Sequence, residues 1–189
     1  IRGDARHHRD RAALLAALAN DSNGIGLVRV PSGLSGVQVL AISNGGRAVL
    51  PSSMNLRAEE YPLVRRLYLV GGQLMTALGR SLANFAVSPA GQAIVERQGF
   101  LSVMPRLLDS PVPANAPEEY RTLVQGASRV STNLRFAENI SLLDPRSAQD
   151  LARLATLLAQ AKEVILVGFA APDPKIPFRS LVTSQERAD

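Results

Sequence analysis

Cysteine and tryptophan are absent from the 189 residues, lysine occurs only at Lys162 and Lys175, and the histidines are the neighbours His7 and His8 alone. Without cysteine there is no disulfide scaffold, thiolate metal site or cysteine nucleophile, although this does not choose between a reducing and an oxidising compartment. Adjacent histidines point in different directions on a helix or strand. His7 and His8 therefore make a poor metal pair and read as part of a solvated N-terminal segment, so no metal and no cofactor are expected. No apolar run approaches the roughly 20 residues that span a bilayer. Ile1-Arg2-Gly3-Asp4 does not have the form of a secretory signal peptide, and the run from Ser184 to Asp189 reads as helix interior, so a fragment is expected.

Aromatic residues are few, with three tyrosines and five phenylalanines. None interleaves with a basic cluster. The net charge of +5 is almost wholly arginine, scattered along the chain. A nucleic-acid binder needs cations grouped along one face and rings on which bases can stack, so no nucleic-acid partner is expected. Gly33-Leu34-Ser35-Gly36 lacks the spacing of a nucleophile elbow, and no histidine is placed to serve as its base. Gly24-Ile25-Gly26 precedes an expected strand and does not link a strand to a helix, unlike a dinucleotide-binding fingerprint. Neither catalytic machinery nor a phosphate-cradling loop is visible, and the reading is of a protein that is not an enzyme. Arg65 and Arg66 could clamp an anion, but on a strand their side chains point to opposite faces, so at most one reaches a given site.

What is present is ample apolar material, 46% of residues against 20% charged, enough to build a core and to exclude disorder throughout. Residues 10–19 read as a helix ending at Asn20–Gly24. Strands are expected at 25–30, at 37–42 before the Asn44-Gly45-Gly46 turn, and at 61–70, where Pro62 sits near the start. Ser88-Pro89 opens a helix that Gly99 closes. The stretch 105–117 carries Pro105, Pro111, Pro113 and Pro117, a composition that resists helix and sheet and reads as a linker. Beyond it, Tyr120, Leu123, Val124 and Ala127 recur at helical spacing. Asp144 caps and Pro145 starts a further helix, whose Ala148, Leu151, Leu154, Ala155 and Leu158 form an apolar stripe. With Ser131–Phe136 before it and the buried-strand run Val164–Ala170 after it, this helix reads as the crossover of a βαβ unit.

Residues 24–28 (Gly-Ile-Gly-Leu-Val), 61–68 (Tyr-Pro-Leu-Val-Arg-Arg-Leu-Tyr) and 85–100 (Phe85, Ser88, Gly91-Gln92, Val95, Gly99-Phe100) resemble the closing third of phosphate-type periplasmic solute-binding proteins. The likeness covers roughly residues 8–105. It implies the C-terminal portion of a phosphate-type solute-binding domain of the type II periplasmic-binding-protein fold. The family's anion-binding loops, including its Ser-Gly-Thr loop, have no counterpart here, so the anion-binding residues are unknown. A single lobe supplies too few converging donors to bind phosphate well alone.

Residues 129–189 are similar to the beginning of an OmpA-like peptidoglycan-binding domain, on Leu134-Arg135-Phe136, Leu143-Asp144, the Leu151/Leu154/Leu158 helix, Val164–Gly168 and Ser184–Ala188. That family holds the diaminopimelate of the wall peptide with an aspartate after the second strand and an arginine in a Leu-Ser-x-x-Arg-Ala helix. Arg187 matches the arginine. Ala171 stands at the aspartate position, with Asp173 two residues on as a substitute if the loop is rearranged; Thr183 and Ser180 replace the family's leucine and asparagine.

Together the resemblances imply an α/β chain in three parts. Residues 1–105 are the C-terminal portion of the solute-binding domain, residues 106–128 a Pro-rich linker with a connecting helix, and residues 129–189 the N-terminal portion of an incomplete OmpA-like α/β sandwich. They imply a non-catalytic protein of the periplasm or cell envelope that binds phosphate or a similar anion and is tethered to peptidoglycan, with an ABC transporter permease as a possible further partner. The alternative expectation is a structural or interaction module with degenerate ligand sites.

Overall fold

The computed structural model describes residues 5–29, 33–137, 141–171 and 175–189. The chain divides into two units, one of residues 1–56 with 60–64 and one of residues 57–59 with 65–189. The proline-rich stretch 105–117 thus lies inside the second unit.

In the first unit, α1 (Arg11–Ala19) starts at Asp10, whose carboxylate accepts the Ala13 amide at 2.8 Å. An isolated antiparallel bridge pairs Ile42 with Val49. The expected strands at 25–30 and 37–42 carry no ladder beyond that bridge; Val30 lies outside the described residues. The start of the expected 61–70 strand is a turn, closed by the Val64 amide on the Tyr61 carbonyl at 3.1 Å. Pro62 sets φ at the corner of that turn, which is why the sequence bends there and does not pair. The short helix α2 (Ser53–Arg57) begins in this unit. The Asn55 carbonyl accepts the amides of Glu60 and Tyr61 as the chain leaves α2.

In the second unit, α3 (Ala77–Val87) starts at Thr76, which accepts the Gly79 amide, and ends at Ser88. Ser88 also caps α4 (Pro89–Arg97), accepting the Gly91 amide. The end of α4 is as the sequence predicts. Gly99 has φ +78, and the Gly99 and Phe100 amides return to the Glu96 and Val95 carbonyls, the paired bonds of a glycine-terminated helix. Gly91 is required by packing, because a Cβ there would lie 2.1 Å from the Phe85 carbonyl oxygen of α3. Buried Gln92 joins the helix pair to the following segment, donating to the Ala86 carbonyl at 2.7 Å and accepting the Val103 amide at 2.8 Å.

Contrary to a reading of 105–117 as resistant to sheet, Leu107–Leu108 form β1, antiparallel to β2 (Arg129–Val130). Ser131 extends that junction: its amide donates to the Arg106 carbonyl, and its hydroxyl accepts the Arg106 amide at 2.9 Å. Between the strands, α5 (Glu118–Leu123) is shorter than the apolar spacing suggests, and Gly126 turns the chain at φ +78. Helix α6 (Pro145–Leu158) is capped by Asp144, as expected, and α7 covers Pro177–Glu186 with Arg187 at its C-cap. The expected helix interior at 184–189 therefore ends at residue 186.

The buried face of α6 is rotated from the apolar stripe. Ser147, Asp150 and Leu154 are buried, whereas Ala148, Leu151 and Ala155 are exposed. Polar bonding explains the rotation. Asp150 accepts Arg66 at 3.1 Å and Arg153 at 2.6 Å, and the Ser147 hydroxyl accepts the Arg135 amide at 2.6 Å. Each of those groups would be costly to bury unpaired, so the helix turns its bonded side inward.

Among the described residues helix makes up 36% and strand 5%, and β1–β2 is the sheet among them. The segments 65–70 and 164–170 have no ladder partner. Val70 at 93% and Leu74 at 96% are among the exposed side chains.

Candidate functional site

The site is built from three stretches of the second unit. The first is the pairing of 135–137 with 142–144, where Phe136 and Leu143 form an isolated antiparallel bridge and the Ala137 amide donates to the Leu142 carbonyl at 2.8 Å. The second is the run 164–170, and the third is α7 with its C-cap Arg187. Gly168 explains how close the last two come. A Cβ at that position would lie 1.8 Å from the Ser184 carbonyl oxygen, so only glycine lets the run pass the backbone of α7.

That approach delivers Arg187 to its partners. Its Nη1 donates to the Phe169 carbonyl at 3.0 Å, and its guanidinium lies 5.2 Å from the centroid of the Phe136 ring, within cation–π range. Tyr120 of α5 meets Phe169 edge to face, with centroids 6.1 Å apart. One residue before Arg187, Glu186 accepts the Ser141 hydroxyl at 2.9 Å, which ties residue 141 to the end of α7. Residues 120, 136, 169 and 187 thus converge on one place. Phe169 is 69% exposed, so the place is open to solvent.

The sequence points to Arg187, but not to its rings. Ala171 is exposed. Asp173 lies outside the described residues. Of the two arginines considered as an anion clamp, Arg66 is held by the carboxylates of Glu59 and Asp150, and Arg65 is exposed. Burial works to lower the Arg66 pKa, but its hydrogen bonds to Glu59 and Asp150 outweigh this and raise it. His7 and His8 are exposed, and among the described residues no group of three or more His, Asp or Glu is placed to hold a metal. No described helix is long and apolar enough to cross a membrane.

Two features escape a sequence reading. Glu59 adopts φ +55, a left-handed conformation rare for a residue with a Cβ, at the end of α2. Its backbone carbonyl accepts Nη2 of Arg135 at 2.6 Å. The second is the α3 helix, whose signal was Thr76 before Leu78, Leu82 and Phe85 at helical spacing. No family model, curated protein or solved structure matches the chain.

Proposed function

We propose that the chain is a non-catalytic module of a bacterial envelope protein. In this reading residues 129–189 hold a peptidoglycan peptide through Arg187, and residues 1–105 belong to a part that takes phosphate or a similar anion. An α/β class, a periplasmic or envelope location and a transporter permease as further partner go with it. The observation that carries the proposal is the meeting of Arg187 with the Phe136 ring and the Phe169 carbonyl. An arginine held between an aromatic face and a carbonyl has already lost much of its side-chain freedom, and its planar fork matches the carboxylates of a wall peptide.

The test is isothermal titration of the protein with a diaminopimelate-containing tripeptide and, separately, with inorganic phosphate. The tripeptide should release heat that Arg187→Ala abolishes. Silence with both ligands removes the functional reading.

A second reading is a structural or interaction module with degenerate sites, and Ala171 at the position of the family's aspartate favours it. Ala171→Asp discriminates: a degenerate site regains tripeptide binding, whereas a site served by Asp173 changes little.

A further inference from the structure

We propose that Arg135 is a positioning residue that holds Phe136 beneath Arg187, and so sets the geometry of the candidate site from outside it. The ligand named above rests on the preceding reading; the positioning rests on bonds within the second unit.

Residue 135 is fixed at both its backbone and its side chain. Its amide donates to the Ser147 hydroxyl at 2.6 Å, and its carbonyl accepts the Asp144 amide at 2.9 Å. Both partners belong to the start of α6, where Asp144 itself accepts the Ser147 amide at 2.6 Å. The guanidinium reaches the other way. Its Nη2 donates to the carbonyls of Glu59 at 2.6 Å and Ala58 at 3.4 Å.

Those carbonyls are themselves held. The Glu59 carboxylate pairs with Arg66, Arg66 pairs with Asp150, and Asp150 pairs with Arg153. The chain of bonds thus runs from the 58–59 turn to α6 and back to residue 135. Phe136, the next residue, begins from a point tied to two elements, and its bridge to Leu143 fixes the direction in which it continues. Both bonds leave from one nitrogen, and the shorter, to the Glu59 carbonyl, is the one a lysine ammonium could also make. Arg135 does not touch the proposed ligand; it acts through the ring.

The experiment reads the ring-current displacement of the Arg187 side-chain proton signals, with Phe136→Leu as the reference lacking the ring, alongside titration with the diaminopimelate-containing tripeptide. Arg135→Ala should lose more than half of the displacement and weaken the tripeptide about tenfold, the scale lost with a supporting partner of a metal ligand. Arg135→Lys should retain most of the displacement, because one donor still reaches the Glu59 carbonyl. Full displacement in Arg135→Ala overturns the proposal. If that variant does not fold, Ser147→Ala serves in its place. It removes the acceptor of the Arg135 amide and should reduce the displacement, and an unchanged displacement overturns the proposal equally. A displacement lost in Arg135→Ala while the unaltered protein takes up no tripeptide supports the positioning and removes the ligand reading.

Discussion

Nη2 of Arg57 lies 2.9 Å from Oε1 of Glu96, which joins the last residue of α2 to α4 across 39 positions of chain. The second oxygen of Glu96 accepts Arg106 at 2.6 Å, and Nη1 of Arg57 continues to the Ser102 carbonyl at 3.3 Å. One carboxylate therefore gathers a helix end, the approach to β1 and the segment between them. The Arg57 side chain is only 10% exposed, so its charge depends on that partner.

The Glu96 carboxyl is held below the usual carboxylate range, chiefly by the hydrogen bond from Arg57, with burial opposing and the charge of Arg106 adding to it. A depressed folded value contributes stability that is full above the unfolded value of about pH 4.3. It is lost as pH falls through the lower folded value. Glu96→Gln should therefore cost about 2 kcal/mol at pH 7 and flatten the loss of stability below about pH 4.3. Thermal melts from pH 7 to pH 3 check this; parallel curves for the two proteins contradict it.

Gly91→Ala places a methyl where the Phe85 carbonyl already stands, so α3 and α4 must move apart. The expected destabilisation is about 1–3 kcal/mol, read by urea unfolding followed by circular dichroism. A neutral result means the two helices do not pack through that glycine.

Glu59 offers a test of backbone strain separable from its ion pair. Glu59→Ala and Glu59→Gly both remove the carboxylate that holds Arg66, but only glycine relieves the positive φ. The glycine variant should be the more stable of the two by about 1 kcal/mol, the reverse of their order at an ordinary helical position. Equal denaturation midpoints would refute the strained conformation.

Asp144→Ala removes the N-cap of α6 and with it the bond to the Ser147 amide. A loss of about 1 kcal/mol is expected, accompanied by faster hydrogen exchange in the first turn of α6. Unchanged exchange there would show that the cap contributes nothing.

Local chemistry was the legible part of this sequence. Ser88, Pro89 and Gly99 bracket α4, and Asp144 and Pro145 open α6, because capping depends only on residues within one turn. Pairing was not legible. Runs such as 65–70 and 164–170 have the composition of strands, but a ladder needs a partner elsewhere in the chain, and apolar alternation does not supply one. The face of α6 is hidden for a related reason: Asp150 and Ser147 turn inward to meet Arg66 and Arg135, which lie outside the helix, while Arg153 joins Asp150 from within it. At the candidate site, the resemblance only named Arg187 as an expectation, whereas its approach to the Phe136 ring and the hold of Arg135 on the Glu59 carbonyl arise only once the chain is folded. Glu59 gave no sign of its left-handed backbone, since glutamate is not a residue that favours it.

The least exposed positions along α6 and beside β2 are serines, Ser147 at 2% and Ser131 at 3%, where most proteins of this size would place leucine or valine. Exposing apolar surface raises the heat capacity on melting and exposing polar surface lowers it. The buried apolar side chains among the described residues are Met54, Ala58 and Leu154, so melting exposes little new apolar surface and gives a small heat-capacity increment. The stability of this chain should accordingly vary with temperature along an unusually flat curve, with little of the sharp curvature that aliphatic interiors impose.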